Sequence, residues 1–92
     1  MKKNQFFESV WDALENDPIK AENMKLRSLL IIAIVDYIHK AGLTQVEAAK
    51  KLRITQPRVS ALMQGKIEEF RLDTLINLVH KLGMHITMQI AA

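Results

Sequence analysis

Apolar residues recur with the period of an α-helix along most of this chain. Phe6, Phe7, Val10, Trp11 and Leu14 form one helical stripe, with Asn4 as a plausible cap. Glu15-Asn16-Asp17-Pro18 interrupts the stripe with turn formers and a proline. Asp17 is placed to cap the next helix and Pro18 to occupy its first position. That helix is predicted over Pro18 to Lys40, with Leu26, Leu29, Leu30, Ala33, Ile34, Tyr37 and Ile38 on its inner face, and Gly42 ends it. Its most apolar stretch, Leu29 to Val35, reads as core, because a membrane span needs about 20 such residues.

Shorter elements follow. Thr44-Gln45-Val46-Glu47 has the form of a capping box. It predicts a helix over Gln45 to Leu52, with Val46, Ala49 and Leu52 inward and the small Ala48 and Ala49 allowing close packing. Arg53-Ile54 is a tight break. Thr55 then caps a helix from Gln56 to Gln64, with Pro57 in its first turn and Val59, Leu62 and Met63 toward the core. Gly65 ends it. A last helix runs from Leu72 to Leu82 and stops at Gly83. Beyond it, Met84, Ile86, Met88 and Ile90 alternate with His85, Thr87 and Gln89, the period of a strand. A single strand cannot satisfy its own backbone, so antiparallel pairing across a two-fold axis is expected, with Met84, Ile86, Met88 and Ile90 as dimerisation residues.

Ninety-two residues suit one small core, which makes a homodimer a reasonable source of further stability. The absence of cysteine removes disulfides, thiolate catalysis and cysteine-rich zinc modules. His39, His80 and His85 lack metal-ligand spacing, Glu68-Glu69 reads as a solvated pair, and no phosphate loop or catalytic triad is present. No enzyme, metal or cofactor is expected. The beginning of the chain, MKKNQFFESVWD, does not read as a secretory signal, so a cytoplasmic protein is expected.

Charge sharpens the picture. The formal net charge is +3. Between Lys40 and Lys66 stand Lys40, Lys50, Lys51, Arg53, Arg58 and Lys66 against the single anion Glu47. Such a footprint suits a polyanion. It coincides with two short helices joined by a very short turn, the spacing of a helix-turn-helix, whose second helix enters the major groove by its N-terminal end. There Gln56 can bond an adenine edge and Arg58 a guanine edge, each with two hydrogen bonds. Gln45, Thr55, Gln64 and Lys66 stand at helix ends, where phosphates are met. Ser60 can serve either role.

The segment LTQVEAAKKLRITQPRVSALMQGK, with the later DTL and Leu82-Gly83, resembles the Xre/Cro family of helix-turn-helix regulators over roughly residues 26–83. The resemblance implies an all-α, five-helix, lambda repressor-like domain, here with the short C-terminal strand added. The expected organisation is an N-terminal amphipathic helix (1–17), the helix-turn-helix domain (18–83) and a dimerisation strand (84–92). The resemblance also places Gln56, Pro57, Arg58, Ser60 and Ala61 nearest the bases, and Gln45, Thr55, Gln64 and Lys66 on phosphates. Two residues depart from the family's pattern. Arg53 stands where the turn usually has a left-handed glycine, and Ala61 where many members carry a long base reader.

Together SVWDAL, the DP break, KLR, ITQPRVSALMQGK, DTLINL and the final alternating run look like HigA-type antitoxins. That narrower resemblance implies a cytoplasmic, dimeric autorepressor, nucleoid-associated when bound to a palindromic double-stranded operator. It implies as well a cognate toxin of RelE/HigB-like type, neutralised by the same chain. Phe6, Phe7, Val10 and Trp11 are candidate toxin-binding residues, with the core or the dimer interface as their alternative use. Two other functions fit the residues: a stand-alone repressor without a toxin, and a partner-neutralising protein that uses the helix-turn-helix as scaffold. DNA binding and a stable protein partner discriminate the three.

Overall fold

The computed structural model describes residues 17–92. Four α-helices occur among them: α1 (Pro18–Lys40), α2 (Gln45–Leu52), α3 (Gln56–Met63) and α4 (Leu72–Lys81). A 3₁₀ turn, η1 (Ile67–Glu69), lies between α3 and α4. The predicted N-terminal helix, with Phe6, Phe7, Val10 and Trp11, lies outside the described residues, so the five-helix count is not supported.

Three helices begin on side-chain caps at the expected residues. Asp17 Oδ1 accepts from the Lys20 amide at 3.0 Å, with Pro18 following it. Thr44 and Glu47 form a reciprocal box, Glu47 N to Thr44 Oγ1 at 3.1 Å and Thr44 N to Glu47 Oε1 at 2.8 Å. Thr55 Oγ1 accepts from the Arg58 amide at 3.4 Å. Each cap satisfies an amide that has no partner inside its helix.

All four helices end alike. An amide two or three residues past each end reaches back five residues: Leu43 to Ile38, Ile54 to Ala49, Lys66 to Ala61 and Met84 to Val79, at 3.0–3.2 Å. This closure needs one left-handed residue. Gly42, Gly65 and Gly83 supply it at three ends, and Arg53, at φ 58°, supplies it at the fourth.

The core is built where these helices meet. Helix α1 packs on α4, and its buried Met24, Ile31, Ile34 and Ile38 share one core with Leu75, Leu78 and Val79 of α4; α2 packs on α3, and Ala48, Ala49, Leu52, Val59, Ala61 and Leu62 join the same core. Ile67 and Phe70 close the base. Three expectations about inward faces are corrected. Leu29 and Ile32 are exposed, because the run Leu29–Val35 is apolar all round and only the side toward α3, η1 and α4 is covered. Val46 is exposed, and Ala48 takes the position at the α2–α3 crossing because only a small side chain allows so close an approach.

The C-terminal strand, like the five-helix count, is not supported. Residues 84–92 have no strand structure, and no strand occurs among the described residues. The alternation is present in sequence, but a strand requires a neighbouring backbone, and no described segment offers one. Met84 instead packs against the core, while Ile86, Met88 and Ile90 stay exposed.

Candidate nucleic-acid interface

The helix-turn-helix is α2, the turn at Arg53-Ile54, and α3. Ile54 packs against the core from inside the turn, which fixes the crossing of the two helices. Lys81 of α4 braces the same corner, its Nζ donating to the Leu52 carbonyl at 3.1 Å. The turn is thus held from beneath by apolar packing and from the side by a hydrogen bond.

Burial divides α3 lengthwise. Val59, Ala61 and Leu62 are buried. Gln56, Pro57 and Gln64 are exposed and Ser60 is half-buried. At about 100° per residue these four fall on one side of the helix. Gln64 Nε2 donates to Ser60 Oγ at 3.0 Å on that side, joining one expected phosphate residue to one expected base residue. The exposed face therefore carries amide and hydroxyl groups along its length, the chemistry that reads base edges.

Two expected base residues are not on that face. Ala61 is 5% exposed and lies in the core, leaving almost no surface for a thymine methyl. Arg58 is turned inward. Its guanidinium carbon stands 4.4 Å from the centroid of the Phe70 ring, and Nη1 donates to the Glu69 carbonyl at 3.1 Å. To reach a base it must leave a stacked ring and a hydrogen bond, a cost of about 1–3 kcal/mol. A bidentate guanine contact returns about the same.

The expected phosphate residues lie around the rim. Gln45 is half-buried at the first position of α2, and Thr55 is exposed while its hydroxyl caps α3. Lys66 is exposed 3.9 Å from Glu69. The remaining cations are unevenly placed. Lys40 pairs with Asp36 at 3.0 Å, away from the turn. Lys50, Lys51 and Arg53 are exposed around the end of α2, with Lys51 Nζ 5.8 Å above the Tyr37 ring. Of these, Arg53 stands two residues before the α3 cap Thr55 and is the nearest in sequence to Gln56. It drew attention in the sequence as a departure from glycine; its position also makes it a member of the basic rim.

Glu47 is the one ionisable group here with a clear displacement. The Thr44 amide, then the Thr44 hydroxyl, and lastly Lys50 hold its carboxyl below the usual range. It serves the α2 cap and stays anionic at neutral pH. No group of three or more His, Asp or Glu side chains comes together among the described residues in a way that could hold a metal. No described helix is long and apolar enough to cross a membrane.

Comparisons with known proteins agree with this geometry. A family model described as a helix-turn-helix domain matches residues 14–91. A solved structure named as an XRE-family transcriptional regulator is 35% identical, with a TM-score of 0.72, covering 78% of this chain and 81% of that one. No curated protein sequence matches the chain. With both the family model and this relative spanning most of its length, the chain belongs to the helix-turn-helix domain family and is of the Xre type.

Proposed function

We propose that the chain is a sequence-specific DNA-binding transcriptional regulator. The observation that carries this is the exposed face of α3, where Gln56, Pro57, Ser60 and Gln64 lie together, in a helix-turn-helix whose first helix ends on the exposed cations Lys50, Lys51 and Arg53. Gln56 and Ser60 read base edges, with Pro57 making apolar contact. Gln45, Thr55 and Lys66 hold phosphates, and Gln64 orients Ser60 while reaching the backbone. The relative's name, a transcriptional regulator of the XRE family, supports the same reading. A homodimer on a palindromic operator completes it, with half-sites about 34 Å apart. The exposed Leu29, Ile32, Ile86, Met88 and Ile90 supply apolar surface for association.

The test is selection of bound duplexes from a random library, followed by a salt series on the selected site. The log affinity is expected to fall with log salt by about 0.9 per phosphate neutralised. Gln56→Ala is expected to cost about 1–3 kcal/mol at one base pair. A chain that binds all duplexes equally would sink the reading.

The finer reading is an antitoxin that neutralises a RelE/HigB-like toxin and represses its own operon. It is supported by the resemblance to HigA-type antitoxins and by the apolar, mostly aromatic run of Phe6, Phe7, Val10 and Trp11 in the sequence, which lies outside the described residues. Co-expression with a RelE-like RNA-cleaving protein tests it. A tight complex that abolishes RNA cleavage is expected. DNA binding with cleavage untouched would instead identify a stand-alone repressor, and loss of cleavage without DNA binding a scaffold-type neutraliser.

A further inference from the structure

Arg58 sits on the wrong side of α3 for a base reader. At about 100° per residue it lies roughly 160° around the helix from Ser60 and roughly 40° from the buried Leu62. Its guanidinium covers the ring of Phe70, which is 1% exposed and anchored in the core. Its Nη1 bonds the carbonyl of Glu69, eleven residues along the chain. Between those two ends run the rest of α3, Gly65, Lys66 and η1.

We propose that Arg58 is a positioning residue: it ties the first turn of α3 to the Glu69–Phe70 backbone, and so sets where Lys66 stands relative to Gln56 and Ser60. This rests on the DNA-binding reading above. The tie closes a loop that carries Ser60 near one end and Lys66 near the other, with Gln56 just before it in the same first turn of α3. A loop held in its bound shape loses less freedom when both ends engage the duplex. The extended guanidinium is needed, because its carbon lies over the Phe70 ring while Nη1 donates to the Glu69 carbonyl; the compact ammonium of lysine offers no second atom to do both. Arg58 thereby acts on affinity for every sequence through Lys66, Gln56 and Ser60 rather than on one base pair by itself.

The experiment compares the full chain with Arg58→Ala, Arg58→Lys, Phe70→Leu and the Arg58→Ala/Phe70→Leu double variant. Each is melted to confirm folding at the assay temperature. Each is then titrated against the selected operator, against single-base-pair variants of it, and over a salt series. Phe70 is buried, so its only route to DNA is through what packs on it. The expected result is that Arg58→Ala, Arg58→Lys and Phe70→Leu each weaken all operators alike, by about three- to thirtyfold, the range of a lost hydrogen bond and stacked cation. The double variant should be no weaker than the worse single one, since both break one tie. The base-preference profile and the salt slope should hold.

Loss of discrimination at one base pair in Arg58→Ala, with Phe70→Leu silent, would make Arg58 a base reader and overturn the proposal. A salt slope shallower by about 0.9 in Arg58→Ala, restored in Arg58→Lys, would make it a phosphate contact and overturn it equally. Wild-type chain without sequence preference would remove the DNA reading itself, and the positioning role with it. Should Phe70→Leu not fold, Arg58→Lys decides alone, because it keeps the charge and loses the stacked fork. A readout without DNA accompanies these. In the nitrogen–proton spectrum the Arg58 Nε–H signal should be shifted upfield by the Phe70 ring, and its appearance at the ordinary arginine position would refute the contact.

Discussion

Replacing Arg53 by glycine should stabilise the protein, and the magnitude can be worked from its own helix ends. Four helices close with the same backbone bonds, and three use glycine as the left-handed residue. Arg53 does the same work at φ 58°, ψ 44° with a β-carbon present. That conformation costs a residue other than glycine about 1–2 kcal/mol. Glycine returns about 0.4–1 kcal/mol of this through its greater freedom in the unfolded chain. The Arg53 side chain is exposed, so little packing is lost with it. The net gain is about 1 kcal/mol. For a domain of this size that raises Tm by about 4–8 °C. Thermal melts followed by circular dichroism would measure it, with Arg53→Ala as control. Alanine removes the same charge and keeps the β-carbon, so its Tm should stay near that of the parent. A Gly variant no more stable than the Ala variant would refute the strain argument. If Arg53 is a rim contact, both variants should also lose about 0.9 from the salt slope of DNA binding, so that stability and affinity move in opposite directions in Arg53→Gly.

Three further outcomes are expected. Glu47 has a lowered folded-state pKa, so its contribution is complete at neutral pH and is lost as pH falls through that value. The stability difference between the parent and Glu47→Gln, measured by urea melts over an acid series, should shrink on acidification; a constant difference would exclude the charged cap. Lys81→Met removes the hydrogen bond to the Leu52 carbonyl, and should lower Tm by about 4–8 °C for about 1 kcal/mol lost; an unchanged Tm would mean the brace contributes nothing. Ala48→Leu puts three extra carbons at the α2–α3 crossing and should cost about 1–3 kcal/mol in chemical denaturation, whereas Val46→Ala on the exposed side should stay within about 0.5 kcal/mol.

Helix ends were legible because capping is local chemistry. Asp17, Thr44, Thr55, Gly42 and Gly65 act within a few residues of themselves, so their types alone locate both ends of α1, the start of α2 and both ends of α3. Inner faces were less legible. In α2, Val46 and Ala48 lie about 200° apart, and which of their two sides turns inward falls to the distance of the neighbouring helix, which no local pattern states. In α1 the unbroken apolar run hides its own period. The 3₁₀ turn was not foreseen, since Ile67 and Phe70 are three apart across two acidic residues and read as loop punctuation. The strand failed for the converse reason: period two describes a strand that has a neighbour and is silent on whether one exists. The exposed face of α3 followed from the spacing of Val59 and Leu62. The same spacing held an unused signal for Arg58, four residues before Leu62 and thus on its side of the helix. The partner, Phe70, was not visible, because η1 brings it there.

The first and last described helices are the ones that pack most extensively on each other. Ile31, Ile34 and Ile38 of α1 therefore wait for Leu75, Leu78 and Val79 of α4. During synthesis the helix-turn-helix leaves the ribosome before the surface that must cover its scaffold. A nascent chain stalled near η1 should present an open apolar face, be cut readily by protease and need a holding chaperone. Protection should arrive in one step once the residues of α4 have cleared the exit tunnel. The exposed face of α3, though made before α4, becomes rigid only once α4 has been made and has docked on α1.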